Sequence, residues 1–551
     1  MERDLITNLP KTILHDILSR LPEKEAVRTS VLSKAWAETW STFPILYFSD
    51  TKIIGTFPQP RQEFLRKRKN FIDHVRRTLM RFHDQGLAIK EFKLIINCFD
   101  LEYMSRDVDY WLKLASERCF GVLELCLPDG PEQDEEGQDR CYILPTGIIE
   151  AKSLHKLVLM GGIRVDQAFR NHSVKFFSLR VLSLWLVLLG DEQAIEHLIS
   201  CCPLIESITL KCCSVLSRGG IGGLHESRTS RMKSISMLGL PKLKKVDVQG
   251  MQEVIVDAPG LEYFCFCPGG DVHAPYNINF DKCRNLKGLY LWSLKSSIIN
   301  DKWFLDLFPK FPFLESLKFV NCTMSETINI SSAQLKVLDL SNCSNLNEIN
   351  IDAPNLLTFG YCGEGASKPI ISFLKSSGQL EVNVLIHIDC MDLGNLREFI
   401  QNFKPQNVLT SLSLFIHQPI VDELNLDFLP VSSTPPSIKH LDLRSVPKNK
   451  TFYSRLVNGL LSSCCPATIS LSLHSFFCSR EFIEFFYETL TGRKEDECFC
   501  SSGHTKCWWH GLKGVKVSSS VKTDEKVDFK TMLEALPTFS PQENISFRLE
   551  L

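Results

Sequence analysis

The first fifty residues carry short apolar stripes separated by prolines and polar residues, a pattern that predicts three short helices. Pro10 suits the first turn of a helix, where its missing N–H costs nothing. Pro22 can open a second helix, and Ser33 can cap the N-terminus of a third. The apolar side chains at helical spacing are Ile13, Leu14, Ile17 and Leu18 in the first helix, Ala26, Val27, Val31 and Leu32 in the second, and Trp36 and Trp40 in the third.

A module this small cannot bury all of these side chains within itself, because domains below about 40 residues are generally unstable alone. We therefore expect a group of apolar residues near the start of the chain to meet another protein: Leu9, Pro10, Ile13, Leu14 and Ile17. The alternative is that the module is only the N-terminal cap of a repeat array, which such arrays need. Periodicity alone does not decide between the two.

Residues 51–86 contain a basic stretch in which apolar residues recur at helical spacing. Its charges are Arg66, Lys67, Arg68, Lys69, Arg76, Arg77 and Arg81, and its apolar residues are Phe64, Leu65, Phe71, Ile72, Val75 and Leu79. The stretch could be a nuclear localisation signal or a nucleic-acid patch. We favour an amphipathic linker helix whose basic face is solvated.

From about residue 87, short segments of the form L-x-x-L-x-L recur, which is the pattern of a half-buried strand. The clear ones begin at Leu154, Leu179, Ile205, Leu243, Leu261, Leu286, Leu314, Leu335, Leu356, Leu409 and Ile438. Weaker ones are Ile89/Phe92/Leu94 and Val122/Leu125/Leu127, and a further unit fits around Leu380–Ile386. The intervals from Leu154 to Leu356 are 25, 26, 38, 18, 25, 28, 21 and 21 residues. Most lie near the roughly 20–29 residues of a leucine-rich repeat, so we predict a solenoid.

Three residues after the last apolar strand position comes a cysteine in several repeats: Cys213, Cys322 and Cys343. This is the N/C position of the repeat signature, where the chain turns out of the strand and a small side chain faces inward. We interpret these cysteines as structural. The acidic stretch Asp129–Asp139 is interpreted as a solvated loop between two repeat strands.

Composition narrows the class of protein. A chain of 551 residues is too long for one ordinary core. A formal net charge of −2 argues against a protein that grips phosphate backbones. The longest apolar run, Val181–Leu189, is far shorter than the roughly 20 residues that span a bilayer, and no secretory signal is visible. We expect an intracellular protein, cytoplasmic or nuclear or both, with no membrane or nucleic-acid partner and with its 21 cysteines mostly reduced.

No catalytic constellation emerges from the sequence: it lacks the phosphate-loop, zinc-protease and nucleophile-elbow motifs. We therefore expect neither an enzyme nor a cofactor. Cys498, Cys500, His504, Cys507 and His510 lie within thirteen residues, but their order does not match the usual zinc-binding spacings. We favour ordinary free thiols over a metal site.

The string LPKTILHDILSRLPEKEAVRTSVLSKAW resembles the F-box motif, particularly the form in plant F-box proteins with leucine-rich repeats. The segments Cys507–Val517 and LEALP…ISFRLEL resemble the C-terminal part of the same family, and so does the Cys-Pro or Ala-Pro pair before several strands. The resemblance implies a substrate receptor of a ubiquitin ligase of the SCF type, which binds a Skp-type adaptor and through it cullin and RING subunits. The implied adaptor-binding residues are Leu9, Pro10, Ile13, Leu14, Ile17, Leu18, Leu21, Pro22, Val27, Val31, Leu32 and Trp36, with Trp36 also holding the module together.

The predicted architecture is therefore α/β: a three-helix F-box module followed by an irregular leucine-rich-repeat solenoid with a curved parallel sheet. We predict the F-box at 1–50, the linker helix region at 51–86, the solenoid at 87–475 and a C-terminal segment at 476–551 that caps it. The favoured hypothesis is that the concave surface binds a target protein. Two alternatives remain: a repeat scaffold that recruits no ligase, and a receptor that senses a small ligand.

Overall fold

We describe the protein from a computed structural model. The described residues are 9–55, 60–118, 120–128, 132–133, 139–148, 152–165, 178–190, 192–216, 229–270, 274–364, 369–389, 393–417, 435–446, 450–472, 479–492, 512–519, 529, 533 and 544–550. The chain divides into two compact units, Met1–Asn285 and Leu286–Leu551. Each is described by itself.

The helices of both units are listed here by their bounds: α1 (Lys11–Arg20), α2 (Glu23–Thr29), α3 (Lys34–Ser41), α4 (Thr51–Ile54), α5 (Arg61–Asp84), α6 (Leu101–Ser116), α7 (Glu192–Ser200), α8 (Asp301–Lys310), α9 (Leu393–Gln401), α10 (Tyr453–Ser463) and α11 (Arg480–Thr491). The three helices predicted for the N-terminal module are present as α1, α2 and α3. Ser33 caps α3 as predicted, because its hydroxyl oxygen accepts a hydrogen bond from the Trp36 backbone N–H at 3.3 Å.

The second predicted helix is shorter than the apolar pattern suggested. It ends at Thr29, so Val31 and Leu32 lie in the turn after α2 and not on the helix. The physical reason is the following cap: Ser33 has an extended backbone with φ −162°, so the chain must leave the helical conformation before it.

The first unit is built on a parallel sheet whose strands pair in chain order. They are β1 (Ile45–Ser49), β2 (Glu91–Ile95), β3 (Val122–Cys126), β4 (Lys156–Met160), β5 (Val181–Trp185), β6 (Ser207–Lys211), β7 (Lys245–Met251) and β8 (Tyr263–Pro268). Strand β1 lies inside the segment predicted as the F-box module. The repeat sheet therefore begins at Ile45, well before residue 87.

The second unit has the same kind of parallel sheet, which ends in an antiparallel pair. Its strands are β9 (Gly288–Trp292), β10 (Ser316–Val320), β11 (Val337–Ser341), β12 (Thr358–Glu364), β13 (Glu381–Asp389), β14 (Ser411–His417), β15 (Ser437–Ser445), β16 (Cys465–Ser472), β17 (Gly514–Ser519) and β18 (Asn544–Glu550). Strand β18 pairs antiparallel with both β16 and β17, so the end of the chain covers the last edge of the parallel strands.

Further short strands follow those of the main sheets along the chain and form separate, smaller sheets. In the first unit they are Tyr142–Ile143, Ile163–Val165, Leu188–Leu189, Ser214–Leu216 and Thr229–Arg231, and then Ser234–Leu238, Glu253–Asp257 and Asn277–Asn279. In the second unit they are Thr327–Ser331, Glu348–Asp352, Ile370–Lys375 and Phe403–Lys404. Within Asp129–Asp139, the pair Glu132–Gln133 and Asp139–Arg140 forms a two-stranded antiparallel ladder; the other residues predicted as a loop there lie outside the described part.

The predicted repeat pattern is confirmed by burial, since the apolar triplets face the core. Leu179, Leu182 and Leu184, for example, are all 0% exposed. The third strand is a correction. Phe92 and Leu94 pair in register with Leu123 and Leu125, so the repeat unit there is Phe120/Leu123/Leu125 and not Val122/Leu125/Leu127.

The turn out of several strands uses a residue in the left-handed region, followed by the predicted cysteine position. Positive φ values occur directly after β5, β6, β9, β10 and β11, at Leu186, Cys212, Ser293, Asn321 and Asn342. The next residue faces inward: the Cys213 thiol donates to the Leu184 carbonyl at 3.6 Å, and Cys322 donates to the Leu291 carbonyl at 3.4 Å. Burial raises the pKa of the Cys213 thiol to about 12. These thiols are neutral packing groups, in agreement with the structural role predicted for them.

Candidate functional site

The N-terminal module has a small core of its own, made by one side of each helix. Its buried residues are Leu14, Leu18, Ala26, Trp36 and Phe43, with Leu9, Ile17, Leu21, Trp40 and Ile45 partly buried against them. The core includes Phe43, which follows α3. Three of the residues predicted to bind an adaptor, Leu14, Leu18 and Trp36, are therefore at most 7% exposed in this core.

Outside this core the module presents an apolar surface to solvent. Val31 is 84% exposed and Leu32 is 70% exposed, while Ile13 and Val27 are 46% and 42% exposed. Pro10 and Pro22, which flank α1 and α2, are exposed as well. An apolar side chain of this exposure contributes little to the stability of the module. We define the module surface as Pro10, Ile13, Val27, Val31 and Leu32.

Polar contacts between α1 and α3 help to hold these two helices together. Lys11 Nζ lies 2.8 Å from Glu38 Oε1, and this hydrogen bond and charge lower the pKa of the Glu38 carboxyl. His15 Nε2 lies 3.3 Å from the Thr39 carbonyl, and its ring packs edge-on against Phe43. Partial burial is the main cause that lowers the pKa of His15. The His15 ring is thus neutral at pH 7 and packs between α1 and the end of α3.

The second candidate surface is the solvent face of the first unit's sheet, formed by the strand residues that alternate with the buried ones. One row of this face runs through the last residues of four neighbouring strands: Ile95, Cys126, Met160 and Trp185. We call this row the apolar strip. The next residue along the row is Lys211, whose Nζ lies 5.9 Å from the centre of the Trp185 ring and 2.9 Å from Asp247 Oδ2.

The solvent face of the second unit's sheet is mainly polar and internally hydrogen-bonded. Ser413 donates to Asp442 at 3.3 Å, and Arg444 donates to the same carboxylate at 2.9 Å. Further along, His440 Nδ1 lies 2.7 Å from the Thr468 hydroxyl. Trp292, the last residue of β9, is an aromatic residue of this sheet and is 41% exposed. The two sheets therefore offer different chemistry to a partner.

The basic stretch forms the long helix α5, as predicted, with Phe71, Val75, Leu79 and Phe82 on its buried face. Leu65 was predicted on the apolar face, but it is 43% exposed. Two of the basic residues form ion pairs with the neighbouring segment: Arg68 with Asp100 at 3.1 Å, and Arg76 with Asp107 at 2.6 Å. These pairs give part of the basic charge a structural role within the first unit.

The cysteine and histidine cluster Cys498, Cys500, His504, Cys507 and His510 lies outside the described residues. Within the described part of the chain, no group of three or more His, Cys, Asp or Glu side chains is arranged to hold a metal ion. No described helix is long and apolar enough to cross a membrane.

Comparison with known families covers both parts of the fold. The family model of the F-box domain matches residues 6–48. Repeats of the kind named "FBD-associated F-box protein At5g56370, LRR repeats" match residues 108–291, and the "At1g61320/AtMIF1, LRR domain" matches residues 261–393. The chain is a plant-type F-box/leucine-rich-repeat protein. The F-box match includes α1, α2 and α3, and the repeat matches together include the parallel strands from β3 to β13.

Relatives of this F-box/leucine-rich-repeat protein come from Arabidopsis thaliana. Putative F-box protein At1g49610 is 32% identical over 39% of the chain and 46% of the relative. F-box/FBD/LRR-repeat protein At4g00160 is 28% identical over 50% of the chain and 55% of the relative. F-box/LRR-repeat protein 13 is 27% identical over 77% of the chain and 85% of the relative. The chain thus spans about half the length of the first two relatives and most of the third.

Proposed function

We propose that this chain is the substrate receptor of an SCF-type ubiquitin ligase. In this proposal the F-box module binds a Skp-type adaptor, which connects the chain to cullin and RING subunits, and the repeat sheet binds a target protein. The observation that carries the proposal is the module surface: apolar side chains are exposed on a module that already has a closed core and matches the F-box family. Exposed apolar patches of this kind mark protein interaction sites.

Within this proposal, burial favours only part of the implied residues for direct contact with the adaptor. The side chains of Leu14, Leu18 and Trp36 face the core, so we assign them to the stability of the module. The exposed residues, the module surface together with Pro22, remain for direct contact with the adaptor. Leu9, Ile17 and Leu21 are partly buried and support the backbone of this surface.

The proposed division of labour follows the order of the chain. Residues 1–50 would hold the adaptor, residues 87–475 would present the target surface, and residues 476–551 would close the repeats through β17 and β18. The linker region 51–86 would join the first two through α5, whose ion pairs to Asp100 and Asp107 tie it to the repeats. The chain itself would supply proximity between target and ligase, which lowers the entropic cost of transfer.

Binding of a purified Skp-type adaptor to the full chain tests the proposal. Burial of one Val side chain contributes about 1.5–3 kcal/mol, so Val31→Asp should weaken adaptor binding by about thirtyfold or more. Because Val31 is 84% exposed, the variant should keep the fold and the circular dichroism spectrum of the wild type. The matched control is Leu238→Asp, which changes another exposed apolar residue, 61% exposed, far along the chain in the repeats.

Two results would contradict the proposal. If the folded wild-type chain binds no Skp-type adaptor, the receptor function is refuted and the scaffold without a ligase is favoured. If the wild type binds but Val31→Asp and Leu238→Asp bind equally well, the assignment of the module surface is wrong. Leu14→Ala changes a core residue and not the module surface. It should lower the stability of the module by about 2–5 kcal/mol, whereas Val31→Asp should leave that stability nearly unchanged.

A further inference from the structure

Two histidines lie side by side on the solvent face of the second unit's sheet, near the ends of two neighbouring strands. His387 lies on β13 and is half-buried, and His417 is the last residue of β14 and is exposed. In the parallel register His387 lies opposite Phe415, so His417 is its diagonal neighbour on the same face, two residues further along β14. The Nδ1 atom of His387 lies 3.3 Å from the Nε2 atom of His417.

The three aromatic rings of this cluster are nearly parallel. The centroid of the His387 ring lies 4.8 Å from that of the Phe415 ring, and the angle between the two planes is 5°. The His417 ring makes an angle of 11° with the His387 ring, at a centroid distance of 5.6 Å. Contact with Phe415 limits the freedom of the His387 ring, so the two facing nitrogens are close together before any ligand binds. Such an arrangement lowers the entropic cost of binding.

The distance between the two nitrogens matches that between two ligands of one metal ion. Zn²⁺ binds imidazole nitrogens at about 2.0–2.1 Å, so two such nitrogens at the tetrahedral angle lie about 3.3–3.4 Å apart. A neutral imidazole has one donor and one acceptor nitrogen, so a single proton can lie between Nδ1 of His387 and Nε2 of His417. A divalent cation can replace that proton after a tilt of both rings, which turns the two lone pairs toward the ion.

From this geometry we propose that His387 and His417 form a surface site for a divalent transition-metal ion of the class that prefers imidazole ligands, which includes zinc, nickel and copper. Two protein ligands are fewer than the three or four of catalytic and structural zinc sites. The ion would therefore keep its other coordination positions open to water, or to a carboxylate or imidazole group of a bound molecule. The site does not depend on the proposed receptor function, since both histidines lie far along the chain from the F-box module.

Modification of the full chain by diethyl pyrocarbonate, read by mass spectrometry of its peptides, tests the site with Ni²⁺ alone as the probe. The reagent reacts with an imidazole nitrogen that carries no proton, and an ion on one nitrogen leaves the other protonated and unreactive. Ni²⁺ should therefore protect His387 and His417 in a saturable way, and a chelator should reverse the protection. Because each histidine is read separately, Ni²⁺ bound by cysteines elsewhere in the chain does not affect the result.

Two variants test whether the histidines act as a pair. His387→Gln should raise the Ni²⁺ concentration that protects His417 by about tenfold or more, because one of the two ligands is lost. His417→Gln, at an exposed residue that the fold does not need, should do the same to the protection of His387.

The matched control is His440, which lies on the solvent face of the same sheet with its Nδ1 atom 2.7 Å from the Thr468 hydroxyl oxygen. His440→Gln should leave the protection of His417 unchanged, and His440 itself should need about tenfold more Ni²⁺ for protection. The proposal is overturned if Ni²⁺ protects His417 no better than His440. It is also overturned if His417 stays protected to the same degree in His387→Gln, since the two imidazoles would then form only a hydrogen bond.

Discussion

Gly161 offers a quantitative test of the repeat geometry, because two separate penalties meet at this one residue. It directly follows Met160 at the end of β4 and has φ +90°, a conformation that other residues rarely adopt. A Cβ added there would lie 2.0 Å from the Leu127 carbonyl oxygen and 2.7 Å from that of Pro128. Its amide also donates to the Trp185 carbonyl at 2.9 Å, so movement of this backbone reaches the next strand.

The cost of Gly161→Ala follows from these two effects. The positive φ costs about 1–2 kcal/mol for a residue with a Cβ. Contact with backbone atoms at 2.0 Å cannot be relieved by a rotamer change, and forced displacement of this kind costs about 1–3 kcal/mol more. We expect a total loss of about 2–5 kcal/mol. Two other glycines separate the contributions. Gly86 has φ +65° and nothing within 4 Å of an added Cβ, and Gly147 has equal space without a positive φ.

Gly86→Ala should therefore cost about 1–2 kcal/mol, and Gly147→Ala should be close to neutral. All three positions lie in the first unit. Because a chain of 551 residues in two units does not unfold as one cooperative step, the suitable assay is hydrogen exchange read by mass spectrometry on peptides that cover the changed residue and its neighbours. If Gly161→Ala loses no more protection than Gly86→Ala, the close approach of Gly161 to Leu127 is not real and the reasoning fails.

Two further predictions concern the turns after the strands and the buried thiols. Asn321 is exposed at φ 54°, so Asn321→Val should lower the free energy of local opening by about 1–2 kcal/mol. Asn347→Val, at an exposed residue that is not among the positive-φ positions, should change it by less than about 0.5 kcal/mol. Equal losses of hydrogen-exchange protection in the peptides that cover the two residues would contradict the turn geometry. Burial raises the pKa of Cys202, Cys213 and Cys464 from the ordinary value of 9.0 to about 12. Because the native state disfavours these thiolates, the stability they contribute is full below pH 9 and is lost as the pH rises toward 12. Hydrogen-exchange protection of the peptides around these cysteines, corrected for the intrinsic exchange rate, should fall from pH 8 to 11. In the Cys464→Ala variant it should fall less steeply around residue 464. A flat profile would show that these thiols are not buried.

Most of the repeat core could be predicted from the sequence, because one-sided burial leaves a strong pattern. In β5 the alternation of Leu182 and Leu184 with Ser183 and Trp185 identifies the inward face directly. In β3 the pattern fails. Val122, Leu123, Leu125 and Cys126 are all buried, so apolar residues occupy both faces and periodicity cannot select the register. The neighbouring strand decides it through the pairing of Phe92 with Leu123.

The first and last strands of the two sheets were missed for a different reason. Strand β1 follows α3 after only a few residues, and its apolar unit Phe43/Leu46/Phe48 shares Phe43 with the core of the module, so the sequence ILYFS is readily taken as the end of the module. Strand β18 pairs antiparallel with β16, from which it is separated by about seventy residues. A contact at that distance leaves no local signal, since the sequence between the two strands does not encode which edge remains open.

The sequence predicts which residues of the candidate sites are apolar, but it does not predict which of them are buried in the core and which are exposed for binding. For the module, spacing identified the apolar residues but could not divide them: Leu14 and Ile13 are adjacent, yet one is 3% exposed and the other 46%. For the sheet, the repeat signature leaves the alternate positions unspecified, so Met160 and Trp185 carry no signal in the pattern that finds Leu159 and Leu184.

This freedom separates stability from binding in the repeats. Trp185 is 43% exposed and stands outside the core, so its replacement should change stability little. Leu184, one residue away and 0% exposed, has the opposite expectation: its replacement by Ala should cost about 2–5 kcal/mol and act on binding only through the fold. Because the two demands fall on alternate residues of the same strand, residues of the solvent face can be replaced without change to the core.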